Sequence, residues 1–271
     1  MKFFRKSLPI PLHFFRRPDF PNLGDELSPY ILKNLTNRKI EKIQVGEKQN
    51  VLMSVGSILQ DTRNDKQVVW GSGFIGLNSQ LKCSPRITAV RGPLTIKKLG
   101  ISKLAIGDPA LLMPDIYRPK MSKNRDYEIG IIPHYVDKKT VESRLNNANN
   151  NSILTLDIAT DDIEKFVDTL VRCKFIVNSS LHGVILAQAY GVPAVWVEFS
   201  KSVAGSGFKF ADYFHSVSIV PYRPQQFVEG PINVSQLMDL EDLHVAQCHI
   251  NNFDKTGLYA ALDDALKFYS E

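Results

Sequence analysis

The chain has 271 residues, of which 44% are hydrophobic and 23% are charged, a composition typical of a globular protein with one or two domains. Three widely separated cysteines exclude a disulfide framework and a cysteine-based zinc site, and they predict a reducing cytoplasm. The net charge of +5 favours anionic ligands, but the basic residues are scattered and form no nucleic-acid-binding motif. Nucleic acid is therefore not an expected partner.

The first 17 residues are basic and rich in phenylalanine. Five lysines and arginines precede the first acidic residue, Asp19, and prolines interrupt the apolar part, so the segment does not predict a signal peptide. No apolar run in the chain approaches the roughly 18 residues of a membrane span. The basic segment suits peripheral contact with the anionic surface of the inner membrane, and a solvated positive end is the alternative.

Short apolar segments alternate with helical patterns along the chain, which predicts an α/β protein with parallel sheets. A polar segment at 117–126 divides it into two domains, 1–119 and 120–271, that we expect to face each other across a cleft. In the first half the predicted strands span 10–15, 51–55, 68–71 and 87–91, and the helices span 25–34 and 94–99. In the second half the strands span 127–132, 153–156, 174–177 and 194–197, and the clearest helices span 161–172, capped by Asp161, and 257–269.

The turn after the first strand and two later glycine turns are candidate binding loops. Asn22 and Gly24 suit a tight turn, and Asp25 suits either helix capping or contact with a substrate hydroxyl. The later turns can bring backbone amides close to a phosphate or a sugar, but they match neither a P-loop nor a dinucleotide fingerprint. Their candidate residues are Gly56, Ser57, Gly71, Ser72 and Gly73.

Further polar residues stand at the predicted ends of strands. Arg91 can clamp a carboxylate or phosphate with two hydrogen bonds, and a structural salt bridge is the alternative. Asp108 suits a turn or a helix cap. His134 and Glu198 can face the cleft, and their alternatives are a backbone hydrogen bond and a surface acid. The histidines form no metal-binding pattern, so no metal is expected.

The strongest signal lies in residues 175–199, where an apolar strand leads into a polar turn and then an apolar helix. His182 in this turn lies at the edge where open α/β sheets bind ligands. Gly183 leaves room for a ligand beside the backbone, and the hydroxyls of Ser179 and Ser180 can share the helix amino terminus with an anion. A hydrogen-bonded structural histidine is the alternative.

Seven segments occur along the chain in the order NLGDEL, VGSIL, WGSGF, AVRGPLT, GDPALL, IGIIPHY and SSLHGVILAQAYGVPAV. Over about residues 10–200 they resemble the polysaccharide pyruvyl transferase family, especially its exopolysaccharide ketal pyruvate transferases. The resemblance implies two Rossmann-like domains in a GT-B-like arrangement, the first on the acceptor side. It also implies phosphoenolpyruvate as the donor, no separate cofactor, and a sugar or lipid-linked oligosaccharide as the acceptor.

In this family His182 would be the catalytic acid and base, Arg91 would hold the donor, and Asp25 would act on an acceptor hydroxyl. Many members have an arginine just before Leu-His-Gly, where this chain has Ser180. Another cation must then meet the donor phosphate, and the candidates are Lys201, Arg86 and Arg17. Two other functions stay open: a GT-B glycosyltransferase that uses a nucleotide sugar, and a noncatalytic binding protein of glycan assembly.

Overall fold

A computed structural model of the chain describes residues 8–44, 46, 50–119, 125–146 and 151–269. The first seven residues of the basic segment and residues 120–124 of the predicted boundary lie outside this part. Each half of the described chain contributes one larger parallel sheet, with helices packed against both sheets. The α/β prediction with parallel sheets is therefore confirmed. No helix among the described residues is long and apolar enough to cross a bilayer.

The first sheet holds six parallel strands. They are β1 (Ile10–His13), β2 (Ile40–Lys42), β3 (Leu52–Met53), β4 (Val68–Trp70), β5 (Arg86–Val90) and β6 (Ala105–Ile106). Their spatial order is β2-β1-β3-β4-β5-β6, so the chain moves to one side of β1 and then to the other. The loops that follow β1 and β3 therefore diverge and leave a crevice at the carboxyl ends of these strands.

The second sheet has the same winding. Its five strands are β7 (Tyr127–Ile132), β9 (Ile153–Thr155), β10 (Cys173–Asn178), β11 (Ala194–Glu198) and β12 (Gln225–Gln226), and a separate pair consists of β8 (Leu145–Asn146) and β13 (Ile232–Asn233). The order β12-β11-β10-β7-β9 places the crevice between β7 and β10. The turns that carry His134 and His182 follow these two strands.

The helices cover the faces of the sheets. The described residues contain α1 (Leu23–Thr36), α2 (Pro93–Leu99), α3 (Met113–Ile116), α4 (Lys138–Arg144), α5 (Ile163–Leu170), α6 (Leu181–Ala189), α7 (Phe208–Ser216), α8 (Val234–Leu243) and α9 (Lys255–Lys267). Short 3₁₀ segments span Leu59–Asp61, Pro109–Leu112 and Val245–Gln247. Pro93 begins α2, as its fixed backbone angle predicts.

One hydrophobic core joins the two halves of the chain. Leu23 of α1 packs in the same cluster as Ile158 of the second half, and its amide donates to the Ile158 carbonyl at 2.9 Å. The last helix, α9, packs on β4, β5 and β6 of the first sheet, and the Trp70 indole nitrogen donates to the Leu258 carbonyl at 2.9 Å. The sequence prediction grouped this helix with residues 120–271, whereas its packing lies on the first sheet.

Every predicted strand and helix overlaps an observed element, and the predicted ends differ by at most two residues. The predicted cap of α5 is wrong: Asp162, not Asp161, accepts a hydrogen bond from the Lys165 amide, at 3.1 Å. Helix α7 is not among the predicted helices, because charged residues interrupt its apolar ones. That helix carries two buried charged side chains, Lys209 and Asp212.

Candidate active site

A cavity of about 360 Å³ lies where the carboxyl ends of the two sheets meet. Residues after β1 and β3 line it from the first sheet, and residues after β7 and β10 line it from the second. Both topological switch points therefore open into one cavity, the place where α/β sheets bind ligands. Its polar lining includes Asn22, Asp25, Ser57, Gln60, Asp61, His134, Ser180, His182, Ser202 and Lys209.

The wall from the first sheet is acidic. Asp25 lies in the first turn of α1, where the helix dipole favours an acidic side chain, and it accepts a hydrogen bond from Asn22 Nδ2 at 2.9 Å. Burial raises the pKa of Asp25 to about 6. Asp61 lies on the same wall, and burial raises its pKa as well. Carboxylates with a pKa near neutrality can accept protons from hydroxyl groups, so this wall suits a polyol.

The wall from the second sheet carries nitrogen groups. Burial is the main cause that lowers the pKa of His134 and of His182 to about 3, and Lys209 adds to both shifts. Burial also lowers the pKa of Lys209 to about 8. At neutral pH the two imidazoles are therefore neutral and the lysine is mainly charged. The cavity is thus polarised, with acids on one side and a cation on the other.

His182 faces a second buried group behind the cavity. Its Nε2 lies 3.9 Å from Asp108 Oδ2, and neither atom has a hydrogen-bond partner among the described residues. The other oxygen of Asp108 accepts from the Ala110 amide at 3.0 Å, which is the cap that the sequence left as an alternative. Burial raises the pKa of Asp108 to about 6. A proton taken up by His182 would bring an imidazolium beside this carboxyl group, so Asp108 is placed to stabilise the charged ring.

Gly24 makes room for the His182 ring. A Cβ atom at Gly24 would lie 2.1 Å from His182 Nδ1 and 2.9 Å from Cε1, which is closer than real Cβ contacts. The glycine predicted for a tight turn therefore serves a close approach between α1 and the imidazole. The two halves of the chain meet at this contact.

Replacing Gly24 with alanine is expected to destabilise the fold by about 1 to 3 kcal/mol, the usual cost of overpacking. In a helix without such a contact, alanine is more favourable than glycine by up to about 1 kcal/mol. A decrease in the free energy of unfolding would therefore identify the clash with the imidazole. Urea unfolding of Gly24→Ala, His182→Ala and the double variant would measure the coupling. An equal cost of Gly24→Ala with and without the imidazole would contradict this interpretation.

The buried neutral state of His182 gives a pH-dependent prediction. An unfolded chain binds a proton at this residue near the ordinary pKa of 6.5, whereas the folded chain does so only near 3. As the pH falls through this window, protonation favours the unfolded state by up to about 1.4 kcal/mol per pH unit. The variant His182→Gln has no titrating group at this position, so its stability relative to wild type should rise as the pH falls from ~6 to ~4. A stability difference that stays constant with pH would refute the prediction.

Arg91 lies behind the cavity wall with no exposed surface. It forms an ion pair with Asp212, with Nη2 and Oδ2 3.0 Å apart, and donates to the Phe74 carbonyl at 2.7 Å. Its Nη1 donates to Ser57 Oγ at 2.7 Å, and Ser57 lines the cavity. The structure thus shows the structural salt bridge, which was the alternative to direct contact with the donor. Arg91 contacts the cavity lining through its hydrogen bond to Ser57.

Other predicted residues also lie outside the cavity lining, although Asn22, Gly56, His134 and Ser180 lie in it. Ser179 donates to Asp137 at 2.6 Å and accepts from the His134 amide at 2.9 Å, so it holds the loop of His134. The rest are placed as follows: Gly71 and Gly73 pack on Pro109 and Arg91, Ser72 donates to the Gly56 carbonyl, Gly183 packs on Asn178, Glu198 accepts from Gln226, and Lys201 is exposed.

The candidate cations have different surroundings. Arg86 is the first residue of β5, at the end of the strand away from the cavity, and it pairs with Asp264. Arg17 lies over the rings of Phe20 and Tyr135. Lys209, which the sequence analysis missed, is the lysine that lines the cavity. A lysine between two phenylalanines in GFKFADYF was its only sequence signal. The described residues contain no group of three His, Cys, Asp or Glu side chains able to hold a metal ion.

These features define an α/β protein with a polarised ligand cavity at the carboxyl ends of two parallel sheets. The sequence model of the polysaccharide pyruvyl transferase family matches residues 22–200, well over half of the chain. The chain belongs to this family, and the resemblance inferred from its motifs is confirmed.

Two curated relatives match most of the chain. An uncharacterized protein of Acanthamoeba polyphaga mimivirus is 30% identical over 213 residues, which cover 75% of this chain and 73% of the relative. The succinoglycan biosynthesis protein ExoV of Rhizobium meliloti is 29% identical over 221 residues, which cover 76% of this chain and 64% of ExoV. A crystal structure of a functionally uncharacterized Klebsiella pneumoniae protein aligns with 77% of this chain and 87% of that chain, at 13% identity and a TM-score of 0.43. This last similarity is too low to bear on the fold.

Proposed function

We propose that the protein transfers pyruvate from phosphoenolpyruvate to a sugar of a cell-surface polysaccharide or of its lipid-linked precursor, as a ketal. The polarised cavity carries this proposal. Its cation and helix amino terminus suit an anionic donor, and its acidic wall suits the hydroxyls of a sugar. Membership of the pyruvyl transferase family and similarity to a succinoglycan biosynthesis protein support the same reaction. We further propose a GT-B-like pair of domains that works in the cytoplasm, at the inner membrane surface.

In the first step His182 acts as an acid, so its ring, which is neutral in the structure, must first take up a proton. An anionic donor beside the imidazole raises its pKa, and so does the carboxylate of Asp108. The imidazolium then protonates the methylene carbon of phosphoenolpyruvate. Positive charge develops on the neighbouring carbon, and an acceptor hydroxyl attacks that carbon. Asp25 takes the proton of that hydroxyl as the carbon–oxygen bond forms.

The second half of the reaction releases phosphate and closes the ketal. The bond from the central carbon to the phosphate oxygen breaks, and phosphate leaves with the proton held by Asp25. A second hydroxyl then attacks the same carbon and returns its proton to His182. Atoms and charges balance: the acceptor gains pyruvate, water is neither used nor made, and both catalytic groups recover their starting states.

Purified protein incubated with phosphoenolpyruvate and candidate glycan acceptors tests the proposal. Release of phosphate that depends on the acceptor is expected, and ¹H NMR of the product should show the methyl singlet of a ketal. Vinyl protons would instead show a noncyclic enolpyruvyl ether and would correct the product. Consumption of a nucleotide sugar without any use of phosphoenolpyruvate would replace the proposal with a glycosyltransferase.

A further inference from the structure

The amino terminus of α6 opens into the cavity with its amide groups free. The helix begins after Ser180, whose side chain makes no capping hydrogen bond, and its first turn contains no acidic residue. The amides of Leu181, His182 and Gly183 have no intrahelical acceptor because they belong to the first turn. No backbone carbonyl of another described residue accepts from these three amides. By contrast, the first turn of α1 across the cavity contains Asp25 and Glu26. An anion is therefore favoured at α6 and disfavoured at α1.

A buried cation lies in the same cavity. Lys209 of α7 has only 9% of its surface exposed, and it lines the cavity together with Ser180 and His182. The Phe210 ring centroid lies 5.7 Å from its Nζ, but its side chain forms no hydrogen bond or ion pair with any described residue. A largely buried ammonium group without a hydrogen-bond or ion-pair partner is unfavourable for folding, and an anionic ligand in the cavity would supply that partner.

We propose that Lys209 and the amino terminus of α6 together form the subsite for the phosphate group of the donor. This inference rests on the proposed pyruvyl transfer and adds the location of the donor phosphate. His182 lies in the first turn of the same helix, so a phosphate held there keeps the rest of the donor within reach of the imidazole. The acidic wall of Asp25 and Asp61 repels the donor and leaves that side to the acceptor.

The subsite also serves phosphate release. When the bond to the phosphate oxygen breaks, negative charge increases on the leaving group, and a fixed cation with free amides stabilises that charge without rearrangement. Burial lowers the pKa of Lys209 to about 8, and the neighbouring Arg91 adds to the shift, but the amine is still mainly protonated at neutral pH. Ser180 leaves this corner open, since its side chain is short and makes no capping bond.

Calorimetric titration with inorganic phosphate and with phosphoenolpyruvate tests the subsite, using the wild type and Lys209→Met. We expect Lys209→Met to weaken phosphate binding by about tenfold or more, as for loss of a charged hydrogen bond. The exposed Lys97 on α2 provides the matched control Lys97→Met, with expected binding within about twofold of wild type. Equal phosphate affinity in Lys209→Met and wild type would overturn the proposal.

Thermal unfolding separates binding from a role in the fold. Because the Lys209 amine has no hydrogen-bond or ion-pair partner among the described residues, Lys209→Met without phosphate should unfold at a Tm no lower than that of wild type. If the variant does not fold, reductive methylation of lysines in the wild type provides a test of the subsite that needs no variant. Phosphate should slow methylation of Lys209 and leave Lys97 unaffected; an unchanged rate at Lys209 would overturn the proposal.

The subsite and the proposed function can fail separately. If Lys209 binds phosphate but no acceptor receives pyruvate, the subsite stands and the transfer reaction is wrong. If pyruvate is transferred and Lys209→Met keeps the wild-type KM for phosphoenolpyruvate, the reaction stands and the subsite is wrong.

Discussion

Replacing His182 with glutamine is expected to lower kcat for pyruvyl transfer by about 10²- to 10⁴-fold, the usual contribution of a general acid and base. Glutamine fills similar space and can donate a hydrogen bond, but it cannot deliver a proton to the methylene carbon. The substitution also removes a buried titratable group, so the protein should keep its fold at neutral pH. Acceptor-dependent phosphate release at saturating phosphoenolpyruvate measures the effect.

The matched control is His215→Gln. His215 is exposed near the end of α7, on the helix that carries Lys209, and it does not line the cavity. This variant should turn over at the wild-type rate. Wild-type turnover by purified His182→Gln would remove the catalytic assignment. A rise in KM alone, with kcat unchanged, would reassign His182 to substrate binding.

Replacing Asp212 with alanine is expected to lower the free energy of unfolding by about 3 to 5 kcal/mol, the cost of breaking a buried ion pair from one side. The carboxylate of Asp212 holds Arg91 and also accepts from the Thr95 amide at 2.9 Å. Without it, the fully buried guanidinium keeps its charge and loses its counterion. Urea denaturation of wild type and variant measures the difference.

An exposed ion pair supplies the control for this measurement. Lys174 and Glu128 lie 2.6 Å apart, with about half of each side chain exposed, so Glu128→Ala should cost no more than about 1 kcal/mol. The double variant Arg91→Met with Asp212→Ala should be more stable than Asp212→Ala alone, because it leaves no unpaired charge. Equal stability of the single and double variants would show that charge is not the cause.

Much of the candidate site is predictable from where the apolar strands end in the sequence. Parallel strands align their carboxyl ends, so polar residues just after apolar runs were expected to meet, and Asp25, Ser57, His134 and His182 do line one cavity. The place of a residue at the end of a strand does not determine which way its side chain points. Arg91 directly follows the last residue of β5, close to its predicted place, yet its side chain lies in the core, where it pairs with Asp212, 121 residues later.

Lys209 and Asp108 show what the sequence could not provide. The place of Lys209 depends on how α7 packs beside α2, which is a tertiary contact between segments far apart in the chain. Asp108 was read as a cap, and one of its oxygens does cap the following turn. The other oxygen faces His182, 74 positions away, and a spacing of that length carries no periodic signal.

The return of α9 to the first sheet has a consequence for synthesis of the protein. Helix α9 covers β4, β5 and β6, and the carbonyl of Leu258 accepts the indole proton of Trp70. A ribosome that has released the chain only as far as residue 200 has delivered every family motif, but α9 has not yet been made and cannot cover β4, β5 and β6. Completion of the amino-terminal half thus waits for the carboxyl-terminal helix, and the apolar surface that the helix later covers stays exposed until then, as in other folding intermediates that are prone to aggregation.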